Sequence, residues 1–273
     1  MKSYSRFTFS VNDDALMALL SSLPFESFEE IDDTLVGYIP TEECTEENKS
    51  SIHEYADMFF SKFSYEIIPD QNWNALWESN FSSVEIDKFC RIRADFHEDL
   101  SSQFQYQITI NPKMAFGTGH HQTTYMMMKA MADIDFKDKS VFDYGCGTGI
   151  LAILASMLGA SPILALDIEE ESYLNTIENA SINHVVNVKA MQGTIVLVAD
   201  KRFDIILANI NRNVLLDSCI EIKKSLFLGG ILLLSGILKD DVEIIHQTYS
   251  DVGFELLTSD QKEDWVCLKF VLY

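Results

Sequence analysis

The chain has 273 residues, 47% of them hydrophobic, and a net charge of −22 from 42 acidic and 20 basic residues. That length and composition give one large or two smaller domains with a real core and exclude a disordered or fibrous class. The acid excess excludes general nucleic-acid binding, where basic patches dominate affinity, and suits an encounter with a basic partner. Cys44, Cys90, Cys146, Cys219 and Cys267 are scattered, with no CxxC pair and no Cys/His metal spacing. A reducing cytoplasm and no metal are expected. The first fourteen residues lack an apolar signal core, and Gly159 and Pro162 divide the apolar run 150–166 into helix and strand. No membrane association is expected, and the chain is read as a monomer.

In chain order, residues 4–11 alternate as a strand. Residues 13–20 form a capped helix with Leu16, Leu19 and Leu20 on one face. Residues 25–31 and 35–39 read as a hairpin around Asp32 and Asp33. Residues 46–63 read as an amphipathic helix, and 65–68 as a strand stopped by Pro69. The order βαββαβ within residues 1–69 predicts a small ferredoxin-like α+β domain. Residues 1–60 carry thirteen acids and three bases, a net −10 of the chain's −22. That charge fits a docking surface for a cationic protein as well as it fits a solvated face.

Residues 70–84 read as a linker helix, with Trp73, Leu76 and Trp77 on one face packing as apolar anchors. Residues 85–273 form the second domain, introduced by strands at 84–93 and 105–110. The segment 111–124, NPKMAFGTGHHQTT, has neither strand nor helix period until Tyr125. Such a loop before a helix at 125–131 can fold over a ligand, with Thr123 and Thr124 at the helix start. His120 and His121 read equally well as exposed loop residues, and Met126 to Met128 as core.

The next stretch organises the rest. In KSVFDYGCGTG (139–149), a strand closes at Asp143, and Gly145, Gly147 and Gly149 alternate through a tight turn. The apolar helix 150–158 follows and stops at Gly159. Such a turn lets a ligand approach the backbone and points helix N–H groups at it. The spacing is D-x-G-x-G-x-G, not the G-x-G-x-x-G of pyrophosphate binders. Strand 162–166 then ends at Asp167, where an acid can accept both ribose hydroxyls of a nucleoside. Helix 169–184, strands 188–191 and 203–208, helix 213–226, strand 230–234, helix 239–252 and a hairpin of 254–258 with 265–272 complete an open α/β sheet. Asn209 ends one of its strands at the ligand edge.

The D-x-G-x-G-x-G spacing resembles the first motif of S-adenosylmethionine-dependent methyltransferases with a Rossmann-like sheet. The set NPKMAFGTGHHQTT, VFDYGCGTGILAI, LALDI, LANI and LSGIL more closely resembles the bacterial methyltransferases of ribosomal protein L-eleven. The resemblance covers about residues 73–265; the first domain matches only in element order. It implies a class I methyltransferase domain that binds S-adenosyl-L-methionine and a small domain that places a basic ribosomal protein. Products would be methylated lysine side chains and a methylated N-terminal amine, with no direct nucleic-acid contact. Thr124, Gly145, Asp167 and Asn209 match the family's cofactor contacts, and Gly147 belongs to the same turn. No catalytic residue is assigned. The family shows Asp-Pro-Gly-Leu and Thr-His-Pro-Thr-Thr around AFGTG; this chain has Asn111-Pro112-Lys113-Met114 and His120-His121-Gln122-Thr123-Thr124. Loss of the loop proline predicts a more flexible loop. Two other readings stand: methylation of a glutamine or adenine amine, and a non-catalytic cofactor-binding module. The first is weakened because Asn209-Ile210-Asn211-Arg212 lacks the Pro-Pro-aromatic run those enzymes carry.

Overall fold

The computed structural model describes residues 3–31, 34–68, 82–111 and 117–273. Contacts divide the chain into two compact units, Met1–Asn80 and Phe81–Tyr273. The expected turn at Asp32–Asp33 and the helix through Trp73 and Trp77 lie outside the described residues.

The first unit runs β1 (Tyr4–Phe9), α1 (Asp14–Leu20), β2 (Ser27–Ile31), β3 (Thr34–Pro40), α2 (Glu46–Met58) and β4 (Phe63–Ile68). Its sheet is antiparallel in the order β2-β3-β1-β4, the ferredoxin-like arrangement. Asp13 starts α1 by accepting from the N–H groups of Ala15 and Leu16, and Thr45 starts α2 by accepting from Asn48 N. The alternation in β1 turns Phe7 and Phe9 inward onto Leu16, Leu20, Ile52 and Ala56. The predicted helix 46–63 is shorter, because Phe60 takes φ 52° and Ser61 N bonds back to Ala56 O. That is a Schellman stop with phenylalanine where glycine is usual, so composition does not announce it.

The second unit opens with β5 (Val84–Ile86), β6 (Cys90–Arg93) and β7 (Tyr106–Thr109), a separate three-stranded sheet in that order. The expected single strand at 84–93 is a hairpin that turns at Asp87, φ 48°. The large sheet contains β8 (Val141–Tyr144), β9 (Ile163–Asp167), β10 (Val188–Gln192), β11 (Phe203–Asn209), β12 (Leu226–Leu238), β13 (Phe254–Lys262) and β14 (Trp265–Leu272). The order is β10-β9-β8-β11-β12-β14-β13; β8 to β12 are parallel, and β14 runs antiparallel to both neighbours.

The central strands β8, β9 and β11 are largely apolar because both faces are covered. Val141, Ile163, Ala165, Ile205 and Leu207 face one core, with α3 (Gln122–Met131) and α4 (Ile150–Met157). Phe142, Leu164, Leu166, Ile206 and Ala208 face the other, with α6 (Arg212–Asp217), α7 (Cys219–Lys224) and α8 (Val242–Asp251). The helix α5 (Glu170–Ile182) joins β9 to β10. The methionines 126–128 are core, as expected. The predicted helix 213–226 is two short helices broken at Ser218, whose hydroxyl bonds back to Val214 O. The predicted strand 230–234 is thirteen residues long and already includes Leu226.

Candidate active site

The chain steps outward from β8 through β9 to β10, and the other way from β11 to β12. In an open α/β sheet, a ligand binds beyond the carboxyl ends of the strands at such a reversal. A cavity of about 670 Å³ lies there, a size that accommodates a nucleoside derivative.

Past Tyr144 the chain turns through Gly145, Gly147 and Gly149 at φ 75°, 54° and 78°. A Cβ on Gly145 would stand 2.1 Å from Ile210 Cγ2. Left-handed backbone and lack of space both require glycine there. Asp167 ends β9 beside the turn. Its Oδ2 accepts from Gly147 N at 2.9 Å and its Oδ1 from Glu169 N at 3.1 Å. Each oxygen retains further acceptor capacity, and Asp167 lines the cavity with Ile168, Glu169, Glu171 and Ser172.

Asp143 lies deeper and is fully buried. Gly149, the N-cap of α4, has no side chain to cap with, so Asp143 does so from the strand: its Oδ2 accepts from Ala152 N at 3.0 Å. Burial pushes its carboxyl up to about 7; the Ala152 N–H pulls it down, and the charge of Asp167 raises it further. Its Oδ1 has no partner among the described residues. Burial also raises the Cys146 thiol, with Asp143 adding to the shift.

The opposite wall comes from β11 and the start of α3. Asn209 ends β11 and donates from Nδ2 to Thr124 Oγ1 at 3.2 Å; its buried Oδ1 has no partner among the described residues. His121 is the N-cap of α3, its Nδ1 accepting from Thr123 N at 3.3 Å. The His121 ring stands edge-on to Trp265, centroids 4.7 Å apart, and both line the cavity with Thr123 and Gly236. Of the five residues predicted to hold a cofactor, Gly145, Gly147, Asp167 and Asn209 line the cavity. Thr124 is fully buried and touches it through Asn209. Trp265 was not singled out from sequence, and His121, read there as an exposed loop residue, is a half-buried cap in the cavity wall. A helix-capping position before Gln-Thr-Thr was the available signal for His121; no signal marks Trp265.

Three asparagines four residues apart, Asn175 and Asn179 on α5 and Asn183 at its C-cap, brace the adjoining backbone. Asn179 accepts from Asn111 N at 2.9 Å and donates to Thr148 O at 2.9 Å. Asn183 accepts from Thr109 N at 2.8 Å and donates to Thr109 O at 2.6 Å. Asn175 donates to Asn111 O at 3.3 Å. Thr148 Oγ1 in turn donates to Gly117 O at 2.7 Å, seating the loop on the glycine turn.

A sheet of this order with a glycine turn after β8 and an acid at the tip of β9 defines a Rossmann-like, S-adenosylmethionine-dependent methyltransferase. The family model for ribosomal protein L11 methyltransferase (PrmA) matches residues 13–272, and the chain belongs to that family. It is 40% identical over 278 residues to the ribosomal protein L11 methyltransferase of Bacteroides thetaiotaomicron, covering 98% of this chain and 99% of that one. It is 40% identical over 261 residues to the corresponding protein of Porphyromonas gingivalis, covering 94% and 90%. A crystal structure of ribosomal protein L11 methylase from Lactobacillus delbrueckii subsp. bulgaricus matches with TM-score 0.64 and 29% identity, over 70% of this chain and 99% of that one. The cavity fits the family's cofactor, S-adenosylmethionine. It presents a carboxylate with spare acceptor capacity and a turn open to backbone approach. Among the described residues no His, Cys, Asp or Glu cluster could hold a metal, and no helix is long and apolar enough to cross a membrane.

Proposed function

We propose that this chain methylates amines of ribosomal protein L11, namely lysine side chains and the N-terminal amine, acting as a monomer in the cytoplasm without direct contact to nucleic acid. Residues 1–69 serve as the docking unit, their net −10 over residues 1–60 meeting a basic protein. The residues that would hold the cofactor are Asp167 for the ribose hydroxyls, Gly145 and Gly147 beneath it, and Asn209 with Thr124 at the transfer end. When bound, the cofactor supplies an activated methyl on a sulfonium, so the hard chemistry is its own.

The chain's part is to present an uncharged amine and to exclude water. For a free lysine, deprotonation at pH 7 costs about 4–5 kcal/mol, since its pKa is about 10.4. An apolar wall lowers that cost by disfavouring the ammonium. The single observation that carries the reading is Asn209. Its Oδ1 is a buried acceptor without a partner among the described residues, and Thr124 fixes the amide that bears it. An amine N–H directed at that oxygen would leave the nitrogen lone pair free for attack. Ile210 and Asn211 follow without the prolines and aromatic that stack a planar amide or base.

A single-turnover assay with methyl-labelled cofactor and purified ribosomal protein L11, followed by peptide mass mapping, tests this. Label on lysine and the N-terminus supports it. Label on glutamine refutes the amine reading; no transfer at all favours a non-catalytic module.

A further inference from the structure

Glu263 sits in the two-residue turn between β13 and β14 at φ 56°, a left-handed conformation that glycine or asparagine would adopt more cheaply. Its carboxylate is occupied: Gln122 Nε2 donates to Glu263 Oε2 at 2.8 Å. The preceding Lys262 places its ammonium 3.5 Å from the centre of the Tyr125 ring. The following Trp265 meets His121 in the cavity wall. The hairpin tip is therefore joined to the start of α3 and its cap by three contacts of different kinds, from Lys262, Glu263 and Trp265. Gln122 stands where the family's loop has proline, so a stiff ring has been replaced by a side chain that reaches across to another element.

We propose that the Gln122–Glu263 bond is a latch that positions Trp265 against His121, making the hairpin tip the acceptor side of the cavity. Gln122 and Glu263 are positioning residues that do not line the cavity. The inference rests on the reading that a protein amine enters this cavity. An indole suits that guest, because its apolar body excludes water and disfavours the ammonium.

The test uses the full chain with Glu263→Gly, Gln122→Ala, the double variant, and Gln122→Pro placed in the Glu263→Gly background. Glu263→Gly removes the latch while relieving the backbone, so its Tm is expected to hold or rise. The KM for ribosomal protein L11 is expected to rise roughly 2- to 10-fold, the loss of one exposed charge-assisted bond. S-adenosylhomocysteine affinity should stay within about twofold by calorimetry, since no latch atom lines the nucleoside end. Amide exchange over residues 121–125 should quicken. The double variant should be no worse than either single one, and the proline should restore KM. Additive losses, equal shifts in KM and cofactor affinity, or unchanged exchange at 121–125 would overturn the latch. Normal transfer by wild type with unchanged KM in the variants sinks the latch alone; no transfer by wild type sinks the substrate reading and the acceptor role with it.

Discussion

Asp143→Asn isolates the energetic cost of the acid under the glycine turn. In the folded chain the carboxyl is raised from 3.8 to about 7, with burial the first cause. Between those values the folded state holds the proton more firmly than the unfolded state, so stability falls as pH rises from about 4 to 7 and is flat above. Each pH unit in that window costs about 1.4 kcal/mol, so from pH 5 to pH 8 the loss is about 2.5 kcal/mol. Asparagine keeps an oxygen for Ala152 N–H and cannot ionise. The stability of wild type relative to the variant should therefore drop by about 2.5 kcal/mol across that range, whatever the other groups contribute. Urea titrations read through amide exchange of the α4 peptide report the second unit alone. Parallel wild-type and variant curves would show that the buried carboxyl is already ionised at pH 5, and that the Ala152 N–H outweighs burial.

Asp167→Ala should weaken S-adenosylhomocysteine binding by about 1.5–3 kcal/mol, the loss of charge-assisted bonds, in a titration at constant fold; unchanged affinity removes Asp167 from the site. Gly236→Ala would place a Cβ 2.2 Å from Ile210 O at φ 88°. Because the obstacle is backbone, a loss of about 2–4 kcal/mol is expected by calorimetric melting, along with methyl transfer. Deleting residues 1–69 should retain cofactor binding and abolish methylation of the ribosomal protein; full-rate transfer by the truncated chain would end the docking role.

The glycine turn, Asp167 and the two-part element order were legible because each is a local demand: positive φ, a strand-end acid, capped helices. Misreadings cluster where a residue does what its type rarely does. Phe60 stops a helix and Asp87 turns a hairpin, both in left-handed backbone without glycine. Ser218 breaks a helix through its own hydroxyl. The His121–Trp265 wall was invisible for another reason: β14 returns antiparallel into the sheet and brings the chain's last hairpin to its middle loop, a juxtaposition no local pattern encodes. The asparagines on α5 read as an ordinary polar helix face until their partners are known to be backbone.

Those asparagines also set an order of events during folding. Thr109 is 74 residues from Asn183, and Asn111 is 68 from Asn179. Closing loops of that length before α5 exists would cost entropy with no reward, so β7 is fastened late. The β8–α4–β9–α5 segment is expected to dock first, with its helix then gripping the strand that precedes it. The site thus matures from its cofactor-side strands outward, and variants at Asn179 and Asn183 should accelerate unfolding more than they slow refolding.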